Sequence, residues 1–414
     1  MRDYSERYGR ILVGLMLKGS KLVLHVCMSF TRCVSRVHTC WNNPVPPSWT
    51  VILALITVQT GFGLYPVVVK KFNTGLSHSR ESNPLIFSFY RDTLVFPVLV
   101  ICAIVAERQL KVPSLKELPV FIMLGVLGMF CNQLLYILGV YHVGPNIASV
   151  FQQLIPIWGT ILAVLTCTEK IPPVNKLSTW CKLLGILVAA GGAIEMITTG
   201  GAINKDAKKD QSSWYTLLGY VFHLGNTFCM ALYVLLQKKF VFMKNSPWAK
   251  LPVSVTMWCY LFGSISMGLA SIYYCKQPEE FKLPVEAAYA LVFAILVTSA
   301  LCYLLITWAN QHFPATIVTA FWPFQVPVTV VSAYFITGDH LKPLQYLGAV
   351  MIIVGLILVV WSNHQENKHK KIERKSSDLE EANDDIGDEK SQLLHSPPRV
   401  RSPAHIIQDR STVK

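Results

Sequence analysis

Arg91 and Asp92 stand side by side inside a long apolar stretch, Leu85 to Ala106. A guanidinium there must meet an anion, a carbonyl or water, so Arg91 reads as an anchor for a substrate carboxylate, against snorkelling or a structural ion pair. Adjacent helical positions point about 100° apart, which predicts that the two do not pair with each other. His223, with Asn226 on the same face, titrates near neutrality and could carry a coupling proton. Glu195 is a second proton candidate. The alternatives are a packed histidine and a solvated glutamate. Asn132, Gln133, Gln152, Gln153 and Gln325 could orient a substrate without burying a charge, or tie helix to helix. Gln133 shares a face with Tyr136, and Gln153 with Pro156. Trp308, Phe321 and Trp322 could stack a flat ligand or simply pack.

These groups belong to a chain of 414 residues, 52% hydrophobic and 15% charged, where soluble domains carry about 25% charge. Of 61 formal charges, 9 fall in residues 1–48 and 20 in 362–414, leaving 32 for the 313 residues between. That excludes an ordinary soluble enzyme. It fits a polytopic protein whose partner is the lipid bilayer, with two polar ends. The net charge of +13 comes as short Lys/Arg clusters between apolar runs, so no nucleic-acid partner is expected. The eleven cysteines contain no CxxC pair and lie mostly in apolar runs. No metal, cofactor or disulfide framework is expected. No histidine is followed five residues on by an aspartate, and no loop offers a paired-carboxylate or Cys/His site, which argues against a membrane acyltransferase.

A membrane helix takes about 20 mainly apolar residues. Ten such stretches are present: Trp49 to Val69, Leu85 to Ala106, Leu118 to Val140, Pro145 to Thr166, Trp180 to Gly200, Trp214 to Gln237, Pro252 to Cys275, Val285 to Ala309, Pro314 to Thr337 and Leu344 to Trp361. With a cytoplasmic N-terminus, the inside segments hold 22 Lys and Arg and the outside loops 9. Both termini should therefore face the cytoplasm. The run Ile11 to Phe30 is interrupted by Lys18 and Lys21, and reads as an amphipathic or targeting segment rather than an eleventh span.

At an offset of 167 residues, Leu134, Tyr136, Leu138, Ala148 and Pro156 recur as Leu301, Tyr303, Leu305, Ala315 and Pro323. That pairs spans three and four with eight and nine. A unit of five helices, repeated in tandem, enters the membrane from opposite sides, so the fold class is all-α integral membrane, ten helices as two inverted five-helix repeats. The division is a basic N-terminal extension at 1–48, a first repeat at 49–200, an outer linker at 201–213, a second repeat at 214–361 and a disordered cytoplasmic tail at 362–414. Pro156 in span four, and Pro323 with Pro327 in span nine, predict helix kinks at matching places. Paired interruptions of this kind point to a transport site, against purely mechanical bends. Gly185, Ala189 and Ala193 form a small-residue row suited to close helix packing.

From about Val51 to Trp361 the chain resembles the drug/metabolite transporter superfamily, its EamA-type members, and most closely the plant nodulin-like or walls-are-thin branch. The residues that carry this are Gln59 with Gly61, Tyr90-Arg91, Asn132-Gln133 with Tyr136 and Gly139, Leu154-Ile155-Pro156 followed by Glu169, then Trp308, Phe321-Trp322-Pro323 and Gly338-Asp339. Gln153 and Trp322 stand where the branch often has Asn. The resemblance implies a secondary carrier for a small organic metabolite, an amino acid, indole acid or similar, working by alternating access; the other reading is a receptor or scaffold that kept the carrier fold. In the tail, Glu389, Leu393 and Leu394 resemble an acidic dileucine signal read by sorting adaptors, which implies the plasma membrane or an endolysosomal or vacuolar one. Ser396-Pro397 and Ser402-Pro403 offer phosphorylation sites.

Overall fold

The computed structural model describes residues 46–74, 83–166, 168, 177–199, 213–242, 246–275, 277, 281, 283, 287–337, 343–344, 346–362 and 364–365. Residues 1–45 of the N-terminal extension, Glu169, Gly338-Asp339 and the sorting and phosphorylation residues of the tail lie outside them. The chain divides into Met1–Ser362 and Asn363–Lys414; in the second unit the described residues are His364 and Gln365, both helical.

Every regular element among the described residues is helical. Among the described residues, eight helices are long and apolar enough to cross a membrane: α1 (Ser48–Val69), α2 (Pro84–Glu107), α3 (Leu118–Pro145), α4 (Ile147–Leu165), α6 (Trp214–Val241), α7 (Pro252–Tyr274), α8 (Ala287–His312) and α9 (Ala315–Ile336). Two further helices are α5 (Leu177–Thr199) and the shorter apolar α10 (Tyr346–Ser362). The solubility pattern is inverted. Leu187 and Ile357 are about 60% exposed, whereas Gln59, Asp92, Gln153, His223, Gln237 and Asn310 are wholly buried. Apolar side chains outward and polar ones inward is the arrangement that lipid selects.

The helix ends follow local chemistry. Asn83 caps α2, its Oδ1 accepting from the Leu85 N–H at 3.0 Å, with Pro84 in the first turn. Gly144 sits at φ 82°, open to glycine without steric cost, and turns the chain at the end of α3, just before α4 begins. Arg108 closes α2 in the left-handed region at φ 53°.

Both halves carry the same irregularities. Wide π-turns occupy Val126–Cys131 in α3 and Ala294–Cys302 in α8, overlapping positions under the 167-residue offset. Both α4 and α9 are broken, the first at Gln153-Leu154 and the second at Phe321, followed by a 3-10 turn at Trp322–Phe324. Packing repeats as well: α6 lies against α3 and α4, α1 against α8 and α9, and α2 against α7. α5 crosses α10 where Gly185 and Ala189 meet Gly355 backbone to backbone. This is the close packing expected of the small-residue row.

Candidate functional site

The interruptions sit where the prolines predicted them. Pro156 lies in the first turn of the second piece of α4, where its missing N–H costs little, and Pro323 lies in the 3-10 turn of α9. Pro327 falls in the first turn of the helix that resumes at Gln325, and so follows the break rather than making it. At the α4 break the Gln153 N–H bonds back to Val150 O at 3.1 Å, and its side-chain Nε2 takes up the Ser149 carbonyl at 3.0 Å. Gln153 thus mends the break with one end, while its Oε1 is buried with no hydrogen bond among the described residues.

Among the described residues, three groups of buried and half-buried side chains lie near these breaks. In the first, Arg91 and Asp92 pair, contrary to expectation: Arg91 Nε and Nη2 donate to Asp92 Oδ1 at 2.9 and 2.7 Å. The backbone angle between neighbours does not bind a side chain as long as arginine, and two charges buried together gain more by meeting than by staying apart. Tyr65 of α1 and Tyr260 of α7 lie within the field of the guanidinium.

The second group is a chain of amides. Asn226 of α6 donates to the Asn132 backbone oxygen of α3 at 2.7 Å and to its side-chain oxygen, while Gln152 of α4 donates to Asn226 Oδ1 at 2.6 Å. Tyr303 of α8 lies near both Asn132 and Arg91, which links this group to the first. Gln133 points to Ser88 at 3.4 Å, one turn before Arg91 on α2.

The third group consists of rings. His223 is fully buried beside Phe151, stacked at 5.7 Å, and Tyr136, edge-on at 6.0 Å; among the described residues neither of its nitrogens has a hydrogen-bond partner, and Gly139 lies against the ring. Phe62 lies between Tyr303 at 5.9 Å and Trp322 at 6.3 Å. Trp308 is buried beside His312, and Phe321 lies in the core. Gln325 is half-buried at the α9 break. Glu195 is half-exposed on α5, unlike these buried groups.

At one end of the bundle the connection between α2 and α3 is fastened to that between α6 and α7. The Glu107 carboxylate accepts from the backbone N–H of Val253 at 2.7 Å and of Ser254 at 3.1 Å, and from the Ser254 hydroxyl. Trp248 Nε1 donates to Glu117 at 2.7 Å and Trp258 Nε1 to the Lys111 carbonyl at 2.8 Å, and Lys111 lies over the Trp248 ring. Slight burial opposes ionisation of Glu117, but donors from Ser114 and Trp248, with the Lys111 charge, hold its carboxyl below the usual range. Lys238 adds two bonds to the Asn310 and Gln311 carbonyls that end α8.

These groups bring together the sequence candidates Arg91, Asn132, Gln133, Tyr136, Gln152 and His223 with Tyr65, Tyr260 and Phe62, which the sequence did not single out. Tyr303 was in view as the repeat partner of Tyr136, and that was its signal.

The model of the EamA-like transporter family matches the chain twice, at residues 49–191 and 217–361. The chain belongs to this family. A WAT1-related protein of Arabidopsis thaliana is 26% identical over 87% of this chain and 98% of its own length, and the protein WALLS ARE THIN 1 of the same plant is 24% identical over 80% and 87%. An uncharacterised transporter of Bacillus subtilis is 27% identical over 65% and 81%. A solved crystal structure shares the fold with a TM-score of 0.59, at 13% identity, over 77% of this chain and 99% of that one. The protein is a multi-pass membrane transporter of the drug/metabolite superfamily, in its plant WAT1-like branch.

Proposed function

We propose that this EamA-type transporter is a ten-helix carrier of a small organic metabolite, an amino acid, indole acid or similar, working by alternating access. The two halves, 49–200 and 214–361, are inverted copies with both termini cytoplasmic, as the Lys/Arg bias indicates. One observation carries this reading: broken helices stand at matching places in α4 and α9, and the buried polar groups gather beside them. Discontinuous helices in repeat-related positions are where carriers build their binding sites.

Arg91 anchors a carboxylate, and Asn132, Gln133, Tyr136, Gln152, Gln153, Trp322 and Gln325 orient the rest of the substrate. The fastened end is the cytoplasmic gate in its closed state, because the α2–α3 and α6–α7 connections fall on that side when the N-terminus is inside. His223 and Glu195 are proton candidates by residue type. The ring packing of His223 supports a structural part for it, and the half-exposed position of Glu195 supports interfacial solvation. Glu389, Leu393 and Leu394 would send the carrier through adaptors to an endolysosomal or vacuolar membrane, or the plasma membrane in their absence.

The test is uptake into liposomes of a panel of amino acids, indole acids, purines and sugar-phosphates. Saturable uptake of a carboxylate, lost in Arg91→Gln and Gln133→Ala, is expected. Protein that moves none of the panel overturns the reading.

A further inference from the structure

Arg91 gives two N–H groups to a single oxygen of Asp92, and the other oxygen, Oδ2, is buried with no hydrogen bond among the described residues. This carboxylate, wholly buried itself, is half satisfied, and the half it has depends on one guanidinium. Among the described residues, the other titratable groups within electrostatic reach of the pair are phenols: Tyr65 from α1, Tyr260 from α7 and Tyr303 from α8, with Tyr136 from α3 in reach of Tyr65. None of them brings a positive charge that could replace the guanidinium. A buried carboxylate that loses its partner becomes neutral by taking up a proton, since an isolated buried charge is far costlier.

We propose that Asp92 is the proton-binding site of the transport cycle: an organic anion draws Arg91 away from Asp92, and Asp92 binds one proton in exchange. This rests on the carrier reading above. The exchange balances. A guanidinium–carboxylate pair, one anion and one proton become a guanidinium–anion pair and a neutral carboxylic acid. The bonds from Nε and Nη2 to Oδ1 are given up and one O–H is formed on the carboxyl. The site carries no net charge before or after, so the loaded carrier can turn over without moving charge through the low-dielectric interior. On release the steps reverse, and because the two residues are neighbours in the chain, Arg91 has only its own side chain to swing back. One anion and one proton therefore travel together.

The experiment is infrared difference spectroscopy on the purified full-length protein in lipid at neutral pH. Arg91→Gln and Arg91→Leu remove the guanidinium as an arriving anion would; both are read, so that misfolding of one leaves the other. Each should show the C=O stretch of a protonated carboxylic acid, absent from the wild type and lost when Asp92→Asn is added. A folded Arg91 variant without a band that Asp92→Asn removes overturns the proposal. In a second arm, indole-3-acetate is added to weakly buffered protein, with indole-3-acetamide as the neutral control. About one proton should be taken up per carboxylate bound, and none with the amide or in Asp92→Asn; wild type that binds the acid without taking up a proton overturns the proposal as well. Failure of the whole uptake panel counts against the carrier reading instead, whereas the infrared band decides the proton site with no substrate present.

Discussion

Tyr136 and Tyr303 stand 167 residues apart, and each meets a ring of the other half edge-on: Tyr136 meets His223 at 6.0 Å and 67°, and Tyr303 meets Phe62 at 5.9 Å and 73°. A third ring completes each set, Phe151 of α4 on His223 and Trp322 of α9 on Phe62. His223 thus fills in one half the place that a phenylalanine fills in the other. His223→Phe should therefore keep the fold, with a ring of similar size in the same slot and a cost under about 1.5 kcal/mol. If Asp92 is the proton site, transport by this variant should keep its response to a pH gradient. Flux measured with and without an imposed gradient checks this, and loss of the response would return the proton to His223.

Gly139 is the floor of the same slot. A Cβ built there would lie 2.5 Å from His223 Cε1 and 2.7 Å from both ring nitrogens, and Phe151 and Tyr136 hold the ring from both sides. Gly139→Ala should destabilise the protein by about 1–3 kcal/mol through overpacking. His223→Ala, destabilising alone, should absorb most of that increment when the two are combined. Thermal unfolding of the four proteins in detergent gives the coupling, and additive losses would show that the ring is free to move aside.

Asn226 serves two partners at once, Asn132 and Gln152, and joins three helices. Asn226→Leu takes that partner from Gln152 Nε2 and from Asn132 Oδ1, while Asn132 Nδ2 keeps the Gly128 carbonyl. A buried group left unpaired costs about 1–3 kcal/mol, although interhelical hydrogen bonds measured within membranes average nearer 0.6 kcal/mol. A loss of roughly 1 kcal/mol is expected, with a larger proportional fall in transport, because Asn132 would lose the partner that fixes its orientation. Unchanged substrate affinity in a folded Asn226→Leu protein would show that the amide chain serves assembly alone.

The helices and the breaks in α4 and α9 were legible because apolar length and paired prolines are local signals. Contacts between distant helices were not. Nothing in the text around Tyr65 or Tyr260 says that they converge on Arg91, some 26 residues beyond the first and 169 before the second. The Arg91–Asp92 pairing was misjudged for another reason: helical angles fix where Cβ points, whereas four torsions decide where a guanidinium ends. Glu107 and Glu117 carry no signal in the sequence, because a carboxylate that meets a helix start or an indole N–H from another part of the chain leaves no pattern of its own.

Glu117 makes a pH prediction. Its carboxyl is held below the usual range in the fold, so its contribution is present above the unfolded value of about 4.3 and is lost as the pH falls through the folded one. Glu117→Gln removes that contribution, which is small because the group is half-exposed and screened. The gap in Tm between wild type and variant should be steady from neutrality to about pH 5 and close below it. A gap that widens on acidification would mean that Glu117 is ionised more easily in the unfolded chain.

Glu107 belongs to α2, but its carboxylate caps the first turn of α7, in the other half. Anionic caps at a helix start contribute about 0.5–2 kcal/mol, and Glu107→Gln keeps the shape while it discards the charge. If the fastened end is the closed gate, this energy is held in the closed state and absent from the open one, so the variant should open more often. A cysteine at the buried Thr256, one turn inward from the cap, would report the opening. Its labelling by a water-soluble maleimide, read above the background of the native cysteines, should be about three- to tenfold faster in Glu107→Gln than in the parent. Equal rates alongside a lower Tm would place the cap's energy in both states, and this end of the bundle would then not be the part that opens.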